Sequence, residues 1–62
     1  MKIEEAENHY KEALKINPKD LETHINYAIL LRDMRRFEEA EHHYKEALRI
    51  DPEYALDLYM FV

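Results

Sequence analysis

Histidine and carboxylate are the side chains of this 62-residue sequence with the widest chemical reach, four of the first and fourteen of the second. Glu5 with His9, Glu38 with His42 and Glu39 with His43 stand at i,i+4. On a helix each pair projects from one face and offers a divalent metal two ligands. Two ligands do not close a site, which needs at least three convergent donors, and His42 and His43 point about 100° apart on a helix. The pairs therefore read as scaffold, with no metal site, and His24, on an apolar stripe, reads as a core or groove histidine. The carboxylates crowd helix starts, where nothing in the sequence shifts a pKa toward catalytic use. No residue is assigned a catalytic role.

Other chemistries fall away by composition. There is no Ser and no Cys, and Thr23 is the one aliphatic hydroxyl, so hydroxyl or thiol nucleophiles, zinc fingers and redox pairs are excluded or nearly so. No Gly is present, which removes phosphate-cradling loops, EF-hand calcium loops and the nucleophile elbow. No cofactor is expected. The net charge of −5 repels phosphate backbones and anionic lipid, so nucleic acid and membrane surfaces are poor partners. The five tyrosines read as packing residues and not as base-stacking platforms for the same reason. The apolar run Tyr27 to Leu31 is far short of the roughly 20 residues a membrane span requires, and the charged start Met1 to Glu5 has no signal-peptide pattern. These features predict a cytoplasmic protein.

Helices must position whatever the chain presents, and they arrive as a repeat. The segment EEAENHYKEALKINP, Glu4 to Pro18, recurs 34 residues later as EEAEHHYKEALRIDP, Glu38 to Pro52, with twelve of fifteen positions identical. The exceptions, Asn8 with His42, Lys15 with Arg49 and Asn17 with Asp51, keep polarity or charge type. Phe37, Ala40, Tyr44, Ala47 and Leu48 form one stripe of a 3.6-residue period, repeated in Ile3, Ala6, Tyr10, Ala13 and Leu14. Acidic first turns and basic last turns complement the helix dipole, and Glu7 with Lys11 and Glu41 with Lys45 read as solvated i,i+4 pairs. Between the copies, Leu21 to Met34 carries one stripe through His24, Tyr27, Ala28, Leu31 and Met34 and a second through Leu21, Ile25 and Ile29. A helix apolar on two faces is covered on two sides. Asn17 and Asp51 read as N-caps, each followed by Pro at the first helical position. The pattern predicts helices over residues 2–16, 19–33, 37–49 and 53–61.

The chain resembles the tetratricopeptide repeat family, whose helix-turn-helix unit is thirty-four residues long. Tyr27 and Leu31 stand where the family places large apolar residues in its first helix, and Ala40, Tyr44, Ala47 and Pro52 match the Ala, aromatic, Ala and Pro of its second half. Ala28 replaces the usual Gly, opposite Ala40, and His24 replaces the usual aromatic. The resemblance implies an all-α solenoid fragment of antiparallel helix pairs: residues 1–18 as the second helix of a partial repeat, 19–52 as a complete repeat, and 53–62 as the start of another. It also implies a non-catalytic scaffold that binds a protein or peptide through its inner face, here Glu22, Ile25, Asn26, Ile29, Arg32 and Asp33, continued by Leu56, Tyr59 and Met60. Asn26 fits the Lys, Asn and Arg set with which some members clamp the carboxylate of acidic chaperone tails. The basic partners are missing, since Glu22, Ile25, Leu56 and Tyr59 lie where Lys or Arg would be needed, so an acidic-tail receptor is not expected.

A second reading is a self-assembling unit with no separate ligand. Leu56, Leu58, Tyr59, Met60, Phe61 and Val62 form an apolar stretch suited to self-association, and so small a chain gains burial by forming a homo-oligomer. Asp33-Met34-Arg35-Arg36, where many repeats of this family turn at a Gly, leaves open an alternative in which the two central helices fuse into one in a domain-swapped oligomer.

Overall fold

A computed structural model describes residues 3–53, which form three α-helices: α1 (Ile3–Ile16), α2 (Leu21–Asp33) and α3 (Phe37–Ile50). No strand occurs among the described residues, and the all-α architecture of antiparallel helix pairs that the resemblance implies is the one that forms. Each helix lies within two residues of its sequence-based bounds. Pro52 and Glu53 have helical backbone; the rest of the fourth expected helix lies outside the described residues, as do Leu56, Leu58, Tyr59, Met60, Phe61 and Val62.

The helix ends show what divides the chain. Asn17 is not the N-cap of α2. Its side chain instead accepts a hydrogen bond from the Lys19 amide at 3.1 Å, and its carbonyl accepts one from the Asp20 amide at 3.1 Å. This closed turn carries the chain past Pro18, and Asp20 caps α2 by accepting from the Thr23 amide at 3.4 Å. The Asp20 carboxylate also places negative charge at the positive end of the helix dipole.

At the other end of α2 the chain turns without glycine. The Arg35 amide bonds the Arg32 carbonyl and the Arg36 amide the Leu31 carbonyl, both at 2.9 Å. This is the paired bonding of a Schellman motif, which requires a left-handed residue between its two arms. Arg35 occupies that place at φ 62°. The two central helices are therefore separate here, the turn satisfying the last carbonyls of α2 and releasing the chain into α3 at Arg36.

Both apolar sides of α2 are covered. On one, Ile25 packs with Ala47, flanked by Leu21, Ile29 and Leu48. On the other, Tyr27 and Leu31 pack with Ala40, flanked by Tyr10 and Leu14 of α1 and by Tyr44 of α3. The α2–α3 contact is the more extensive, and Ala28, Ala40 and Ala47, all buried, let the helices approach closely. Leu31 is wholly excluded from solvent. α1 contributes no fully buried residue; it lies over α2 through its Tyr10 and Leu14 stripe.

Two substitutions test this arrangement. Leu31→Ala removes the most enclosed large side chain and should cost about 3 kcal/mol, enough to abolish the helical circular dichroism signal of so small a domain. Arg35→Gly relieves the left-handed backbone and should raise the urea midpoint, by about 1 kcal/mol in stability. An unchanged or lower midpoint would show that the Arg35 backbone carries no such cost.

Candidate functional site

A helix covered on two sides has one face left to present. On α2, residues 22, 25, 26, 29, 32 and 33 share that face by helical spacing. Glu22, Asn26 and Asp33 are exposed, while Ile29 and Arg32 are half-exposed, with Arg32 beside Asp33 at 3.8 Å. Ile25 is buried in the cluster with Ala47, so it supports the strip from beneath and does not present a side chain to a partner. The strip is thus polar at both ends and apolar at Ile29, with the Asn26 amide one turn from Ile29.

Beneath it, three helices are tied by one carboxylate. The Tyr27 hydroxyl donates to Glu7 Oε2 at 2.7 Å, and Arg36 Nη1 donates to the same oxygen at 2.9 Å. Arg36 turns its remaining edge to Glu39, donating from Nε to Oε1 at 3.0 Å and from Nη2 to Oε2 at 2.6 Å. Tyr27 is on α2, Glu7 on α1, and Arg36 at the start of α3, so the network closes the bundle. The Tyr27 hydrogen bond holds the Glu7 carboxyl below its ordinary pKa; burial opposes this, and Arg36 adds to the lowering. Burial first, and then the Glu7 carboxylate, push the Tyr27 phenol well above its ordinary value. Glu39, paired with Arg36, is also lowered.

The sequence reading of Glu7 as a solvated partner of Lys11 is corrected by this network. The Glu7 side chain is 15% exposed, against 69% for Glu41, its counterpart 34 residues on, which pairs only with Lys45 at 3.0 Å among the ion pairs of the described residues. Local pattern makes the two positions equal. What separates them is that α2 lies against Glu7.

A second polar cluster lies between α2 and α3. His24 is 6% exposed, and its Nε2 lies 2.7 Å from the Pro18 carbonyl oxygen. Its Nδ1 lies 3.0 Å from Nδ1 of His43. The Tyr27 ring stacks at a tilt on His43, with centroids 4.5 Å apart, and His42 meets His43 edge-on at 5.1 Å. His24 therefore takes the core position expected from its stripe, but as a hydrogen-bonded partner. Among the described residues no group of three or more His, Cys, Asp or Glu is placed to hold a metal ion. No helix among them is long and apolar enough to cross a membrane. An open groove of about 470 Å³ runs between the α1–α2 turn and the end of α3, lined by Pro18, Lys19, Glu46, Arg49 and Ile50.

A family model described as Tetratricopeptide repeat matches residues 2–59. Searches of curated proteins and of solved structures found no match.

The Glu7 network is open to a direct test. Tyr27→Phe deletes the hydroxyl and should cost about 1–2 kcal/mol at pH 7, read by urea denaturation. The sign of the pH effect follows from the lowered Glu7 value: its contribution is complete above the unfolded carboxyl pKa of about 4.5 and is lost as pH falls through the folded value. The stability lost by Tyr27→Phe should therefore shrink on acidification below that point. A loss independent of pH would show that the hydroxyl is not paired with the carboxylate.

Proposed function

The chain belongs to the tetratricopeptide repeat family, and we propose that it binds an extended or helical peptide segment of a partner protein along the exposed strip of α2. A protein-interaction scaffold is the general role that the family supplies. The observation that supports this particular surface is the division of α2: its two apolar sides are packed, and Glu22, Asn26, Ile29, Arg32 and Asp33 stay at the surface on a helix held from behind. Asn26 offers both a donor and an acceptor to a peptide backbone, and Ile29 an apolar contact one turn away. Glu22 and Asp33 favour basic residues toward the ends of the bound segment. The role is non-catalytic, and the compartment proposed for it is the cytoplasm.

A screen of displayed peptides against the immobilised full chain tests this reading. Binders should lose about tenfold in affinity with Asn26→Ala, with unchanged helicity. Equal losses from Glu12→Ala, on the exposed side of α1, would remove the strip from consideration.

A second reading, self-association, is supported by four exposed apolar side chains that the repeat pairs with each other: Ile3 with Phe37 and Ile16 with Ile50. Ile16 is 83% exposed, an unusual place for isoleucine. Under this reading sedimentation equilibrium gives a defined oligomer that Ile16→Lys with Ile50→Lys dissociates. A stable 7.6 kDa monomer at high micromolar concentration sinks it.

A further inference from the structure

The contact between His24 and His43 has a proton count that the rest of the core lacks. A carbonyl oxygen only accepts, so His24 Nε2, 2.7 Å from the Pro18 oxygen, carries a hydrogen. Neutral His24 then has a bare Nδ1, and the 3.0 Å contact with His43 Nδ1 is a hydrogen bond only if His43 carries its hydrogen on Nδ1. One proton thus sits between the two Nδ1 atoms, and both tautomers are fixed by a backbone carbonyl in the α1–α2 turn. The bond joins residues 19 apart in sequence, on α2 and α3.

We propose that this imidazole pair is a proton-gated latch between α2 and α3, closed when both rings are neutral and released when they become charged. One added proton leaves the Nδ1 contact intact, its charge carried by either ring through the hydrogen they share, but it puts that charge into a partly buried cluster. A second proton can enter only at the Nδ1 contact itself, where it sets N–H against N–H and two cations in contact. Opening relieves both conditions, so the open state binds up to two more protons than the closed one, and acid favours opening.

The surroundings act mostly in the same direction. From α2, His24 and the Tyr27 ring face His43; from α3 itself, His42, Glu39 and Glu46 do. α1 reaches the cluster through Tyr27, whose ring lies 5.7 Å from that of Tyr10 and whose hydroxyl donates to Glu7. Burial, then the two neighbouring imidazoles, push His43 down to about 4, and the carboxylates of Glu39 and Glu46 oppose this without reversing it. For a histidine held below its ordinary value, stability is complete above the unfolded pKa near 6.5 and is lost as pH falls from there to the folded value. The window, about pH 6.5 to 4, lies mostly above the range in which Glu7 and Glu39 titrate. Ile25 and Ile29 pack against Ala47 and Leu48 across the same α2–α3 contact, so release of the latch also removes the support of the α2 strip.

Two measurements on the full chain test the latch. Long-range proton–nitrogen NMR at pH 7.5 should show His24 protonated on Nε2 and His43 on Nδ1. Urea denaturation followed from pH 7.5 to pH 4 should show the folding equilibrium constant falling by about tenfold per pH unit for each proton taken up. The double variant His24→Phe with His43→Phe should lose that slope, while His42→Gln should keep it. The latch is overturned if His43 titrates near pH 6.5 with helicity unchanged, or if the double variant keeps the slope of the parent chain. Should the double variant fail to fold, the tautomers and titration of the parent chain decide alone: the opposite tautomer on either ring also overturns it.

Discussion

None of these helices can stand alone, and α2 can stand least of all. At 13 or 14 residues each is near the length at which an isolated helix is marginal in water, so tertiary burial has to hold them. α2 carries apolar residues on two sides and needs a neighbour on each. α3 supplies the larger contact, with Ala40 and Ala47 drawing it close to Ala28, and α1 closes the rest through Tyr10 and Leu14. That requirement orders the domain: α2 is enclosed, and the outer faces of α1 and α3 stay in water.

Enclosing α2 creates polar obligations. Tyr27 is 3% exposed, and a phenol hydroxyl taken from water needs a partner, which Glu7 provides. The Glu7 carboxylate, itself partly removed from water, then needs a counter-charge, and Arg36 provides it. Arg36 can reach because the Schellman turn reverses the chain at Arg35 and delivers the next residue beside α1. Its other edge is taken by Glu39, in the first turn of α3. A buried tyrosine, a bridging carboxylate and a left-handed turn are thus consequences of one packing demand. The exposed pair Glu41–Lys45 belongs to no such chain and contributes little, as solvated ion pairs do.

Packing leaves one face of α2 over. The strip of Glu22, Asn26, Ile29, Arg32 and Asp33 lies on the helix whose two other sides are packed. A surface of that kind loses little entropy on binding, which is how a short scaffold can present a defined face. The histidine pair works against this rigidity by making the α2–α3 contact depend on proton count.

Periodicity made the helices, their order and the family readable from the residues alone. Twelve identities in fifteen at an offset of 34, with apolar stripes at 3.6-residue spacing, are local facts, and helix formation and the direction of the apolar face are local consequences. The two-sided character of α2 and the exposure of Glu22, Asn26 and Asp33 follow from the same reasoning. The burial of Ile25 does not, because a stripe says that a side is covered without saying how deeply. Other features came only from the tertiary structure. Glu7 and Glu41 are indistinguishable by sequence, yet one bridges three helices and the other lies in solvent. His24 and His43 meet across a turn that no spacing rule spans, and Asp20 displaces Asn17 as the cap because the turn around Pro18 uses Asn17 first. A repeat fixes what each residue offers to its own helix. Which neighbour stands opposite, and so which polar groups leave water and must be paired, is decided only when the helices meet.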